Sequence, residues 1–305
     1  MPELPEVEVL ARHLNRQLSG LQVRRVRVLI PKWVRPHSAE ELDQTLSGGL
    51  IQGVGRRAKF LLFHLTSGEG RRLTAVGHLG MTGRIFLQQE GLPLPKHAAV
   101  VMELDRGRLI FEDPRRFGRF NLNLSSLNTL GPEPWDELFT AEVLYQRLQR
   151  SRQAIKVKLL DQRLVAGVGN IYACEILFRA GIPPRSAACG LHRKQVNSLH
   201  EALRKVLSEA IDTGLGASLD FGGGTDGLFY FGSGSETETS VERFQVYGRR
   251  NQPCFSCGTP VVQFEQGGRS TYACSTCQPT GKMSAHEGTG KGTGKGIVAT
   301  NSLQT

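Results

Sequence analysis

The sequence predicts an α+β chain of several domains: a leading helix and a β-sandwich or barrel, then a helical domain, then a small cysteine-stapled β-hairpin. Three observations predict it. Short apolar runs with period-two alternation, separated by turn residues, fill the chain from Leu21 to Leu124. Apolar residues at three- and four-residue spacing dominate from Ala141 to Gly214. Two Cys-x2-Cys pairs close the ordered part of the chain.

The leading helix is read from Val7, Leu10, Ala11, Leu14 and Leu18, which share one face, and from Ser19-Gly20, which stops it. Val26, Val28 and Ile30 then alternate with Arg25, Arg27 and Leu29, the pattern of a half-buried strand. Further strands are expected at FLLFHL, LTAVGHL, AVVMEL, RLIFED and RFNLNL, with glycine and Asp-Arg-Gly turns between them. GPEPW at 131–135 reads as a linker. Helices follow at AEVLYQRLQR, IKVKLLDQ, NIYACEILFRAG and VNSLHEALRKVLSEAIDTG. Residues 221–240 are rich in glycine and serine and read as a loop. Beyond Gln278 the chain is low in complexity and is expected to be disordered. The expected units are therefore 1–131, 132–240, 241–278 and a tail at 279–305.

Lysine and arginine number 38 against 28 acids, a net charge of +10 over 305 residues. Such a surplus points to a polyanionic partner, nucleic acid being the commonest. No apolar run reaches the ~18–20 residues of a membrane span, and MPELPEVE is too short and too acidic for a targeting signal. A soluble, cytoplasmic, nucleoid-associated monomer is expected.

Cys254, Cys257, Cys274 and Cys277 form two pairs with sixteen residues between them. That spacing presents four thiolates tetrahedrally and suits one structural zinc ion; a redox Cys-x-x-Cys has no use for a second pair. Cys174 and Cys189 stand apart and read as structural thiols. The residues between the pairs read as two strands about a Gln-Gly-Gly turn, with Arg269 just past it.

Loss of Met1 would expose Pro2 as a secondary amine. An α-amino group has a pKa near ~8, so part of it is neutral and nucleophilic at pH 7. Glu3 and Glu6 stand where they could move protons. Taken alone, these eight residues read first as a plain helix start, with proline and acids suited to the first turn. Taken alone, Lys59 reads as a basic strand edge, and Met81 and Phe117 as core residues. An apolar side chain beside Arg115 and Arg116 on a turn is also how proteins wedge into a base stack. GVGN at 167–170 opens a helix, and its N–H groups could hold a phosphate.

Together, and in this order, MPELPEVE, RRAKFLLF, HLGMTG, DPRRFG, LVAGVGNIYACEILFRAGI and RSTYACSTC resemble the bacterial formamidopyrimidine-DNA glycosylase (Fpg/MutM) family from residue 1 to about 277. The resemblance implies an N-terminal β-sandwich, a helix–two-turn–helix domain and a zinc-finger hairpin, with duplex DNA between the domains. It implies excision of oxidised purines, 8-oxoguanine and formamidopyrimidines, followed by β,δ-elimination at the abasic site. Pro2 matches the family's imine-forming nucleophile, Glu3 the acid that protonates the sugar ring oxygen, and Glu6 an accessory carboxylate. Lys59 matches a lysine assigned to β-elimination, and Arg269 an arginine that grips phosphates and is assigned to δ-elimination. Met81, Arg115 and Phe117 match the trio that fills the gap left by a flipped base. His97, Arg152, Lys156 and Asn170 match phosphate contacts.

Three departures stand out: KHAAV carries one histidine where the family usually has two, the 220–240 loop differs, and the tail has no counterpart. Two other readings remain open at this point. One is an endonuclease VIII-type glycosylase for oxidised pyrimidines, which usually begins PEGPE and lacks DPRRFG. The other is a non-catalytic zinc-dependent DNA-binding protein, which would not need Pro2, Glu3, Lys59 and Arg269.

Overall fold

Helix α1 (Leu4–Leu18) forms where the apolar spacing expects it, with Pro5 in its first turn. Glu3 and Glu6 cap it reciprocally, each carboxylate accepting the other residue's backbone N–H. Gly20, at φ +86°, carries the chain out of the helix. One face of α1 buries Val7, Leu10, Leu14 and Leu18 in the core of the β unit. The other sets Leu4 and Val9 against Ile211 of the helical unit. This single helix is thus shared by both. The structure, a computed structural model, describes residues 2–216 and 244–279. The expected glycine-rich loop at 221–240 and the tail after 279 lie outside the described residues.

Eight strands form two antiparallel four-stranded sheets, which decides for a sandwich over a barrel. They are β1 (Val23–Val28), β2 (Leu50–Arg57), β3 (Phe60–Thr66), β4 (Arg72–His78), β5 (Arg84–Gln88), β6 (Ala98–Leu104), β7 (Arg108–Glu112) and β8 (Arg119–Asn121). One sheet runs β1-β6-β7-β5 and the other β2-β3-β4-β8. Between them Phe63, Phe111 and Phe120 stack edge-on or tilted, with centroids 4.6–5.9 Å apart. Such pairs add about 0.5–1.5 kcal/mol each beyond the area they bury.

Two strands and two short α-helices are additional to those the periodicity marks. Strand β2 contains Gly53 and Gly55 and a register shift between Ile51 and Gly53, which breaks its period. Strand β5 is only five residues long. Helix α2 (Ala39–Leu46) buries only Leu42 and Leu46, and is recognisable by its cap, where Glu41 N–H donates to Ser38 Oγ. Strand β1 ends at Val28, two residues short of the expected Ile30.

A four-residue helix, α3 (Ser125–Asn128), precedes the linker. The helical unit follows with α4 (Ala141–Gln149), α5 (Ile155–Leu159), α6 (Asn170–Arg179) and α7 (Arg193–Gly216). They enclose a second core that includes Leu144, Ile155, Tyr172, Ile176 and Leu203. Strands β9 (Val262–Gln266) and β10 (Arg269–Ala273) pair about Gly267 and Gly268, at φ +59° and +69°. A two-residue turn with both φ positive matches the twist of a hairpin and selects glycine. The hairpin is moored to α6 by Glu175, a buried carboxylate that accepts the N–H groups of Gln245, Val246 and Tyr247 at 2.8–3.0 Å.

Gly118 gives the sandwich one of its tightest contacts. A Cβ there would lie 2.1 Å from the buried Trp33 ring. Gly118→Ala is expected to lower the unfolding free energy by about 1–3 kcal/mol, the cost of overpacking, measured by urea denaturation; an unchanged midpoint would refute that packing.

Candidate active site and nucleic-acid interface

The N-terminal turn of α6 is the base on which the site is built. The Gly169, Ile171 and Tyr172 N–H groups all donate to the Glu3 carboxylate, at 2.8, 2.8 and 3.2 Å. This corrects one expectation: the anion held by the GVGN turn is the chain's own Glu3, not a phosphate. Both partners suit the macrodipole, a negative group at a helix N-terminus. The approach requires glycine, because a Cβ on Gly169 would lie 2.2 Å from Glu3 Cδ. Leu4 N–H donates to Gly167 O at 3.1 Å, completing the dock. Glu6 accepts the Glu3 N–H at 2.8 Å and the Tyr172 hydroxyl at 2.6 Å. The buried Pro2 is thereby carried to the same spot.

Lys59 comes from the opposite side. It sits in the turn between β2 and β3, one residue before the strand it was expected to start. The preceding Ala58 has φ +53°, a conformation that costs a non-glycine residue about 1 kcal/mol or more. Lys59 is only 9% exposed. Burial pushes its pKa down against the pull of Glu3 and Glu6, and the Arg269 charge pushes the same way as burial. Burial pushes the Glu3 pKa up; Lys59 opposes that, and Glu6 adds to it. Burial thus shifts the acid and the amine in opposite directions, each towards its neutral form, the direction that acid–base chemistry near neutral pH needs. Next to them His78 is driven to about 4 by burial, Lys59 and Arg119. It is therefore neutral at pH 7, with Nδ1 accepting the Gly80 N–H at 3.1 Å.

Two loops of the sandwich offer apolar side chains to solvent. Met81 is 45% and Phe117 48% exposed, so the core reading of each is corrected. Both loops hang on one buried carboxylate, Asp113. It accepts the Thr82 hydroxyl at 2.6 Å and the Arg115, Phe117 and Gly118 N–H groups at 2.7–3.1 Å. Gly80, at φ +61°, abuts Phe117 directly. The Arg115 guanidinium lies over the Phe117 ring, 4.9 Å from its centroid. The apolar wedge beside a cation is thus one rigid unit. His97 is half-buried beneath it, its carbonyl accepting the Asp113 N–H.

From the hairpin, Arg269 stands exposed at the start of β10. Two residues the sequence assigns to phosphates hold the strand in place. Lys156 is fully buried, its ammonium donating to Thr271 Oγ1 at 2.9 Å and Ser270 O at 3.3 Å. Asn170 Nδ2 donates to Ser270 O at 2.9 Å. Arg152 is exposed.

The sulfurs of Cys254, Cys257, Cys274 and Cys277 all lie within 4.8 Å of one another, and no disulfide joins them. The Cys254–Cys277 and Cys257–Cys274 sulfurs are 3.8 and 3.4 Å apart. Four thiolates at about 2.3 Å from a tetrahedral ion stand about 3.8 Å apart, so the donor set fits a metal ion. Cys174 is buried and Cys189 half-buried, both free.

The formamidopyrimidine-DNA glycosylase N-terminal domain matches residues 1–120, and the H2TH domain of the same family matches residues 130–221. The chain is 40% identical to the Bacillus licheniformis formamidopyrimidine-DNA glycosylase over 287 residues, 91% of this chain and 99% of that one.

The chain belongs to this family.

The Bacillus subtilis family member is 38% identical over the same shares of both chains. Among solved structures, Lactococcus lactis Fpg non-covalently bound to abasic-site DNA superposes with a TM-score of 0.78 at 31% identity, covering 91% of this chain and all of that one. MutM in complex with DNA containing carbocyclic 8-oxoguanine gives 0.79 at 32%, covering 92% of this chain and all of that one. In this family member, four further residues carry the site without having been singled out in the sequence. Tyr172 fixes Glu6, Asp113 holds the wedge, His78 flanks Lys59, and Glu133 grips the Lys59 turn. Asp113 had a signal, since Asp-Pro opens capped turns. A glutamate between two linker prolines had none.

Lys59 binds fewer protons folded than unfolded between its lowered folded pKa and its ordinary 10.5. Its penalty on stability is therefore full below the folded pKa and fades as pH rises towards 10.5. Lys59→Met is expected to raise stability by about 0.5–2 kcal/mol at pH 7, with a smaller gain at pH 10. Urea unfolding at both values checks this, and a gain independent of pH would refute it.

Proposed function

We propose that this chain is a DNA glycosylase of base excision repair that removes oxidised purines from duplex DNA and then cuts the strand at the abasic site. The observation that carries the reading is the buried pair of Glu3 and Lys59, with opposed pKa shifts, beside Pro2. The curated relatives carry the glycosylase name, and the solved neighbours hold abasic, benzyl-Fapy or 8-oxoguanine-type DNA. The start PELPE and the intact DPRRFG favour this substrate class over oxidised pyrimidines.

In the proposed reaction Met1 is removed and the Pro2 amine attacks C1′ of the damaged nucleotide. Glu3 protonates the ring oxygen O4′, the sugar opens, and the base departs with a proton. The C1′–Pro2 iminium acidifies the C2′ proton. Lys59 takes that proton, and the 3′ phosphate leaves in β-elimination. Loss of the 5′ phosphate follows by δ-elimination, assisted by Arg269. Hydrolysis of the iminium frees Pro2. C1′ is out of reach in a stacked duplex, so the nucleotide is flipped out at a cost of about a few kcal/mol. Met81 and Phe117 fill the gap and Arg115 probes the unpaired partner base. Arg152, His97, Lys156 and Asn170 belong to the phosphate-binding surface, Lys156 and Asn170 by holding β10. Zinc on the four cysteines supplies no chemistry; it fixes the hairpin that presents Arg269.

Incubation with an 8-oxoguanine·cytosine duplex and borohydride is expected to trap a covalent adduct at Pro2. Pro2→Gly with Met1 retained should trap none. An adduct formed only with oxidised pyrimidines would move the protein to the endonuclease VIII type. Tight DNA binding with no adduct, after confirmed Met1 removal, would leave a binding protein. The purified chain is expected to hold one zinc; Cys274→Ser should lose it together with most DNA affinity, read by metal analysis and a fluorescence titration. Full affinity without metal would overturn the assigned role of the hairpin.

A further inference from the structure

The Lys59 turn is held from outside the β unit. Glu133, in the linker between sandwich and helices, accepts the Ala58 N–H at 2.6 Å. It also takes both Arg56 Nη groups, at 2.6 and 3.0 Å. Arg56 returns the grip by donating Nη1 to Ala58 O at 3.2 Å and Nε to Glu8 of α1 at 2.6 Å. The Ala58 N–H and C=O are therefore both occupied, one by each member of the ion pair. This is the residue with φ +53°. A strained left-handed alanine persists only where its surroundings over-determine it.

The linker is fixed at its other side to the segment that places Glu3. Gly131 N–H donates to Gln162 O and Ala166 N–H to Pro132 O, both at 2.8 Å. The Gln162 side chain accepts the Gly167 N–H, and Gly169 holds Glu3 two residues later. One short run of chain thus references both halves of the acid–base pair. We infer that Glu133 is a positioning residue, which sets Lys59 against Glu3 by clamping the Ala58 turn to the linker. It touches no substrate and acts only through Lys59. The inference rests on the functional reading above.

The test is a double-mutant cycle on strand cleavage at a preformed abasic site, under single turnover, with full-length protein. Glu133→Ala is expected to slow cleavage about ten- to a hundredfold, the usual result of misplacing a reacting group by an ångström. In a Lys59→Met background the same change should cost less than about twofold, because the group it positions is gone. Glu133→Gln keeps an acceptor for the Ala58 N–H and should recover part of the loss. The rising limb of the pH–rate profile should also move to higher pH in Glu133→Ala, as Lys59 leaves its buried place among Glu3, Glu6, Arg269 and His78. A merely structural role would lower the melting temperature but leave that limb where it is. If Glu133→Ala fails to fold, Glu133→Gln supplies the cycle. Equal losses in both backgrounds, or an unmoved pH limb, overturn the inference while a cleaving wild type keeps the functional reading. A wild type that neither cleaves the abasic duplex nor forms the Pro2 adduct overturns both.

Discussion

One carboxylate on one helix end organises this molecule. Glu3 occupies the N–H groups at the start of α6, some 166 residues along the chain from it. Without Glu3 those donors would be orphans, buried between two units; without them Glu3 would be a charge with no solvent. Each unmet need would cost on the order of 1–3 kcal/mol or more, so the contact forms as a whole or not at all. Its consequences spread outward. It fixes where α1 begins, and α1 belongs to both the sandwich core and the α7 seam. The same contact carries Pro2 to the seam, and it brings Glu3 within the field of Lys59.

The opposed shifts of Glu3 and Lys59 follow from that placement. Helix N–H groups favour the ionised carboxylate, and so does Lys59, yet burial outweighs both. A carboxylate left on the surface with the same hydrogen bonds would be a poor acid at pH 7. Burial of Lys59 works in the same sense, lowering its pKa from the ordinary 10.5. The seam is thus destabilised by its charges, and the two hydrophobic cores bear the cost.

Legibility from the sequence followed periodicity and spacing. Helix α1, six strands, the helical unit and the cysteine hairpin were all visible because each repeats a pattern within a short window. Strand β2 and helix α2 were not, since glycines erase the alternation in one and only two buried leucines mark the other. The candidate site was legible only through the family resemblance of the motifs that hold Glu3, Lys59, Met81, Phe117 and Arg269; taken alone, each had a plain structural reading. What each touches was not legible. Tyr172 reaching Glu6, or Glu133 reaching Ala58, pairs residues 166 and 75 positions apart, and no local rule couples them. GVGN misled for the same reason. An anion site at a helix start is readable from sequence, but not the fact that the chain's own third residue fills it.

As the proposed nucleophile, Pro2 fits this architecture better than a lysine would. A buried lysine imine is cationic only while it holds a proton, and burial removes protons from amines. The iminium formed from a secondary amine carries no N–H proton to lose. The Pro2 iminium with C1′ is charged at every pH, so it withdraws electrons from C2′ even in the dry seam beside Glu3. In the proposed reaction that charge arises only when the sugar is bound, and the free protein need not bury it. Pro2 also directly precedes the cap residue, so its nitrogen is placed by the same turn that Glu3 and Glu6 cap. With Met1 removed, position two, immediately before the cap residue, is where the proposed reaction turns a neutral amine into a permanent cation at the point of attack.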